Sequence, residues 1–211
     1  LSMLIAAPIG AAASQVGTLI MWATEQAPLV MGILVSVIVG VALTLPISSA
    51  AICAALGLTG LAGGAAVAGC CAQMIGFAVM SYKENGVGGL VSQGLGTSML
   101  QMGNIVKNPP IWIAPTLASA ITGPLATCVF HFEMNGAAVS SGMGTCGLVG
   151  QIGVYTGWVS DIAAGTKAAI TPMDWAAMVL LCFVLPAVLS VIFCEIERKL
   201  GWIKEGDLKL N

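Results

Sequence analysis

Hydrophobic residues in this chain come in long blocks. Six can be drawn, at Leu1–Trp22, Pro28–Ala50, Leu61–Tyr82, Val87–Val106, Ile111–Phe132 and Met173–Cys194, and a weaker seventh covers Ala137–Trp158. A helix that crosses a bilayer needs about 20 mostly apolar residues, so the blocks predict membrane spans. From Gln26 to Tyr82 no charged residue interrupts them. The second block contains Thr44-Leu45-Pro46, and the Gly57-Leu-Thr-Gly-Leu-Ala-Gly-Gly64 that follows is too rich in glycine for a uniform helix. Such breaks are tolerated at membrane depth only where protein or a water-filled cavity satisfies the freed backbone groups. They are candidate linings of a pathway.

The fourth and seventh blocks differ from the others, being poor in Leu and Ile and rich in Gly, Ser, Thr and Gln. Each carries a Gly-x-Gly-Thr, Gly94-Leu95-Gly96-Thr97 and Gly142-Met143-Gly144-Thr145. Tyr82-Lys83-Glu84-Asn85-Gly86 precedes the first, and Phe130-His131-Phe132-Glu133-Met134-Asn135-Gly136 precedes the second. Val91-Ser92 pairs with Val139-Ser140, and Leu100 with Leu148. We read this as an internal duplication, against the plainer alternative of two glycine-rich segments matching by chance. Short, Gly-interrupted hydrophobic segments at corresponding places in two halves are the best sequence pointer to a transporter's binding site.

Topology follows from the few basic residues. If both Gly-x-Gly-Thr segments enter the membrane and return, Lys83, Lys107, Arg198, Lys199, Lys204 and Lys209 share one side and Lys167 stands opposite, as the positive-inside tendency requires. If both cross fully, Lys107 joins Lys167 and the bias weakens. The re-entrant arrangement is preferred, because it also puts the two Glu-Asn-Gly turns on opposite faces, as an inverted repeat demands.

Composition narrows the function classes. The chain of 211 residues is 58% hydrophobic and 8% charged, with a net charge of −2, whereas an ordinary soluble domain is about 25% charged. Soluble enzymes and nucleic-acid binders are excluded by that composition and by the lack of a basic patch. The seven cysteines lie mostly inside apolar blocks and read as small hydrophobes. With His131 the sole imidazole and no paired cysteine spacing, no metal site is expected. No nucleophile stands beside a base, and no cofactor motif appears.

The remaining polar residues suit a solute that exchanges its hydration for protein hydrogen bonds. Glu133 can accept two hydroxyl donors, Asn135 and Gln151 can give and take, and His131 can do either according to tautomer. Gly142, Gly144 and Thr145 would bring backbone and a hydroxyl to the ligand, with Glu84, Asn85, Gly94, Gly96 and Thr97 opposite them. Trp112 and Trp158, at segment ends, read as aromatic-belt anchors.

The run Asn108-Pro-Pro-Ile-Trp-Ile-Ala-Pro-Thr-Leu-Ala-Ser-Ala-Ile-Thr-Gly-Pro-Leu-Ala-Thr127, then Phe130-His-Phe-Glu-Met-Asn135 and Ser141-Gly-Met-Gly-Thr-Cys-Gly-Leu-Val-Gly-Gln-Ile152, resembles the divergent EIIC-like (PfoR-like) membrane proteins of the phosphoenolpyruvate-dependent sugar phosphotransferase system. The resemblance covers most of the chain. It implies a multi-span permease component that carries a sugar inward while cytoplasmic EIIA- and EIIB-like subunits phosphorylate it. Members are usually longer at the N-terminus, which agrees with a chain that begins at Leu1 and is expected to be part of something longer. The Gly-Ile-Thr-Glu motif of the glucose-type permeases is absent, so their sugar-binding assignments do not transfer.

The expectation is an all-α polytopic membrane protein with about six transmembrane helices, two Gly-rich re-entrant or broken segments and an internal inverted repeat. Residues 1–195 would be membrane-embedded, with repeat units near 61–106 and 111–158, and 196–211 a short cytoplasmic tail. It would sit in the bacterial inner membrane as a homodimer and bind a sugar or similar polar solute. A membrane sensor that moves no solute, and a channel built on glycine loops, are the alternatives.

Overall fold

The computed structural model describes the backbone of residues 2–210 and the side chains of residues 10–210. Its first half holds α1 (Ser2–Gln26), α2 (Pro28–Thr44), α3 (Ser49–Leu56), α4 (Gly60–Met80), α5 (Tyr82–Val91) and α6 (Met102–Lys107). The second holds α7 (Ile113–Pro124), α8 (Val149–Ala163), α9 (Pro172–Val179) and α10 (Leu185–Lys199). Among the described residues the only strand-like pairing is an isolated bridge between Gly60 and Met134.

Local chemistry sets several boundaries. Pro28 opens α2 at a position where its missing N–H costs nothing, and α2 stops at Thr44 because Pro46 forces Leu45 into extended backbone. The Ser48 side chain accepts from the Ala51 N–H to start α3, and Gly57 ends it in the left-handed region. Before α10, Pro186 cannot donate to the preceding turn, and the helix loosens into a π turn over Leu180–Val184.

Helix α4 is the axis of the molecule. Most of its residues are buried, against α2, α7 and α10. Close approach of backbones makes this possible: a Cβ on Gly69 would sit 2.0 Å from the Ser36 carbonyl oxygen, and one on Gly123 would sit 2.2 Å from that of Gly32. Small residues at helix crossings serve this end in membranes. The Ser36 hydroxyl ties α2 to α7 by donating to the Ser119 carbonyl at 2.8 Å.

Among the described residues, three continuous helices are long and apolar enough to cross a membrane: Gly60–Met80, Pro109–Val129 and Pro172–Lys199, with Pro28–Thr44 a shorter apolar helix. They coincide with the predicted blocks at 61–82, 111–132 and 173–194. The blocks at 87–106 and 137–158 are not single helices. Residues 82–107 run through α5, a π turn at Ser92–Gly96, a 3-10 turn at Ser98–Gln101 and α6. Residues 130–163 run through an irregular strand-like stretch, short 3-10 turns at Ala138–Gly142 and Cys146–Leu148, and α8. Both fold back on themselves. The two ends of the first lie beside residues 208–210, since Asn85 and Asn104 both bond that segment. The two ends of the second lie beside Gly60, through Asn135 and through Gly157, which packs on the Asn135 backbone. A helix of this length is about 30 Å long, so the two hairpins approach α4 from its opposite ends.

Candidate functional site

A cavity of about 540 Å³ opens where α4 begins, between the 130–135 stretch, the end of α8 and the start of α9. Its polar lining is His131, Glu133, Asn135, Asp161, Thr166, Lys167 and Asp174, and Trp158, Phe130 and Phe132 supply aromatic wall. Main-chain bonds hold the 130–135 stretch in place. Gly60, with φ of 61°, exchanges two 3.0 Å hydrogen bonds with Met134, and Phe132 N–H donates to the Ala126 carbonyl. Gly64 lets the Phe132 carbonyl lie against α4, where any Cβ would meet it at 1.6 Å.

Asn135 organises the polar groups. Its Oδ1 accepts from Gly60 N–H at 3.1 Å, while its Nδ2 donates to Glu133 Oε2 at 3.0 Å and to Asp161 Oδ2 at 2.9 Å. One amide thus holds two carboxylates that would otherwise repel. Across the cavity, Lys167 Nζ donates to Asp174 Oδ1 at 2.8 Å and lies 5.8 Å from the Trp158 ring centroid. Asp174 is itself fixed by a capping box with Thr171 at the start of α9. Trp158 is 5% exposed and meets Trp175 edge to face at 5.6 Å. It is a cavity wall rather than the belt anchor that its position in the sequence suggests. His131 stands at the exposed rim with φ of 44°, a left-handed conformation that costs a non-glycine residue about 1–2 kcal/mol.

With Glu133, Asp161 and Asp174 facing Lys167, acceptors outnumber free donors in the cavity. Its chemistry suits a ligand rich in hydroxyl or amine hydrogens, with an apolar face for the Trp158 ring.

The residues singled out in the sequence fall into three places. His131, Glu133 and Asn135 line the cavity. Gly94, Gly144 and Thr145 meet near the middle of α4. There Thr145 Oγ1 donates to the Gly94 carbonyl and approaches Met74 Sδ at 3.6 Å, and Gly144, at φ of 53°, packs on the Cys70–Cys71 backbone. Gly142 lies one turn away, its carbonyl accepting from Ser49 Oγ at 2.7 Å, and Gln151 reaches Cys71 Sγ at 3.2 Å. Gly96 has open space around it, and Thr97 caps the following turn by accepting from Met99 N–H. Glu84 and Asn85 are at the far end. Glu84 Oε1 accepts from Arg198 at 2.7 Å, and Asn85 pairs with the main chain of Leu208 and Leu210.

Sequence reasoning passed over Asp161, Lys167 and Asp174. The signal was present: three of the few charges cluster within one short loop and its flanking helix ends. It also passed over Gln73, which is fully buried in mid-α4, accepts from Trp112 Nε1 at 3.0 Å and Thr44 Oγ1 at 3.2 Å, and donates to Thr116 Oγ1 at 3.2 Å. Thr44 and Ser98 hydroxyls bond each other at 2.8 Å beside it. Trp112, half-buried at the start of the Pro109–Val129 helix, thus also donates into the bundle interior.

The fold and the cavity define a membrane-integral helical protein with a polar site at one end of its axial helix. The family described as Phosphotransferase system, EIIC matches residues 1–210, and the chain belongs to that family. Neither the comparison with curated proteins nor that with solved structures gave a match. Membership makes the chain a permease-type component of a phosphotransferase system, as the sequence resemblance implied.

Proposed function

We propose that the chain binds and translocates a sugar or similar polar solute, and that the cavity around Asn135 is where the solute is held on one face of the membrane. The observation that carries this is the Glu133–Asn135–Asp161 bridge beside Trp158. Two acceptor carboxylates held by an amide, next to an aromatic ring, are the groups a hydroxyl-bearing ring needs. Hairpins 82–107 and 130–163 act as an inverted pair of re-entrant segments whose tips meet at Gly94 and Thr145. Rocking one against the other would pass the solute along α4 toward Gln73. The far end, with Lys83, Arg198 and Lys199, faces the cytoplasm of a bacterial cell by the charge rule. There EIIA- and EIIB-like subunits would phosphorylate the solute, and the working unit is a dimer.

The test is binding to the purified full-length chain in nanodiscs across a panel of sugars and polyols, read by calorimetry. At least one should bind, and Asp161→Asn and Asn135→Leu should each abolish its heat. A panel without binding, or binding untouched by both variants, would overturn the assignment.

A further inference from the structure

Beyond α10 the chain turns at Gly201 and Gly206, both in the left-handed region, and lies back across hairpin 82–107. Two side chains anchor it in the apolar end of the bundle. Ile203 is 3% and Leu208 0% exposed, in a cluster with Phe77, Met80, Ile105, Ile111 and Cys194. The polar contacts are made by amide side chains reading main chain. Asn85 Nδ2 donates to the Leu208 carbonyl and Asn85 Oδ1 accepts from Leu210 N–H, both at 2.8 Å. From the returning leg, Gln101 Nε2 donates to the same Leu208 carbonyl and Asn104 Nδ2 to the Lys209 carbonyl, both at 3.0 Å. Asn108 Nδ2 adds bonds to the Trp202 carbonyl and to Asp207 Oδ2.

These amides lead inward. Gln101 Nε2 also donates to Gln93 Oε1 at 2.9 Å, and Gln93 Nε2 donates to Ser81 Oγ at 2.8 Å. Gln93 and Gln101 are fully buried, and the residue after Gln93 is Gly94, whose carbonyl accepts from Thr145. The C-terminal segment therefore clasps both legs of one hairpin and closes a chain of buried amides that ends at the contact between the two hairpins.

We propose that residues 203–210 are a strap that locks hairpin 82–107, and that its undocking is the event that frees this hairpin to move relative to α4. Two features make the segment suited to release. Most of its polar bonds use its own main chain, so water can replace them one by one. Its hold on the apolar cluster rests on two side chains rather than a helix face. Once it lifts, Asn85, Gln101 and Asn104 each lose a main-chain acceptor, Gln101 keeps only Gln93 and Asn104 only Gln101, and the uncovered amides favour a hairpin opened toward water. The strap thus couples the fate of the C-terminus to the hairpin that carries Gly94.

The experiment is hydrogen exchange by mass spectrometry on the full-length chain in nanodiscs. Leu208→Ala weakens the anchor, and Asn85→Ser cuts the clasp from the hairpin side. Each should speed exchange in residues 85–104 by about tenfold, while Gly60–Met80 and residues 130–163 keep wild-type protection. Unchanged exchange in 85–104 overturns the proposal. So does a uniform rise along the chain in both variants, which would make the segment an ordinary part of the folded core. The readout needs no solute, so it stands or falls separately from the cavity assignment.

Discussion

Thr145 donates its hydroxyl hydrogen to the main-chain carbonyl of Gly94, joining the turns of two hairpins that reach the middle of α4 from opposite ends. Neither residue lines the cavity, and the bond ties the two hairpins together where they meet. Thr145→Val keeps the shape and removes the donor, leaving a buried carbonyl unpaired at a cost of about 1–3 kcal/mol. Thr145→Ser keeps the bond and should cost less. Denaturant titration of the three proteins in detergent checks the order.

Glycine 64 stands where backbone meets backbone. Gly64→Ala places a methyl against the Phe132 carbonyl, so the 130–135 stretch must move, at about 1–3 kcal/mol as for other overpacked sites. Gly88→Ala meets no atom within 4 Å and is expected to be neutral or stabilising, since alanine is the better helix former. Thermal melts should separate the two, with only the Gly64 variant losing solute binding as well.

Asn135 is expected to matter more for charge than for size. Asn135→Asp is nearly isosteric, yet it replaces the donor between Glu133 and Asp161 with a third acceptor and sets like charges together. Solute binding should fall at least as far as in Asn135→Ala. Asn135→Asp combined with Glu133→Gln should recover part of it. Calorimetric affinities for the four proteins decide the matter, and equal losses in the single and combined aspartate variants would count against charge as the cause.

The Glu84–Arg198 pair is only 10% and 15% exposed on its side chains. Breaking a buried pair by removing one partner typically costs about 3–5 kcal/mol, because the other charge is left uncompensated. Glu84→Gln and Arg198→Met should each be strongly destabilising. The double variant should be milder than the sum of the two. A double-mutant cycle on unfolding free energy measures the coupling.

How much of the site was readable in advance differs by residue. Glu133, Asn135 and His131, which line the cavity, stand out in the sequence because polar residues are rare in this chain and they precede a Gly-x-Gly-Thr. Their counterparts Glu84 and Asn85 look the same in sequence but serve other partners. The difference lies in what comes back to meet each turn: Asp161 and Gly60 meet Asn135, while the 208–210 main chain meets Asn85. Those partners are 26 to 125 residues away in the chain, and local pattern carries no record of them.

Membership of the bilayer, the long helices at 61–82, 111–132 and 173–194, and the broken character of the two glycine-rich blocks were determined by the sequence alone. Each depends on apolar content and glycine frequency, which are local and additive along the chain. Tertiary structure alone decided that Thr145 finds Gly94, that Lys167 and Asp174 close one cavity with Glu133, and that the charged C-terminus buries Leu208 instead of trailing in water. Those outcomes depend on which backbones can approach one another across α4. That is a matter of a few ångströms between distant residues, set by packing and not by composition.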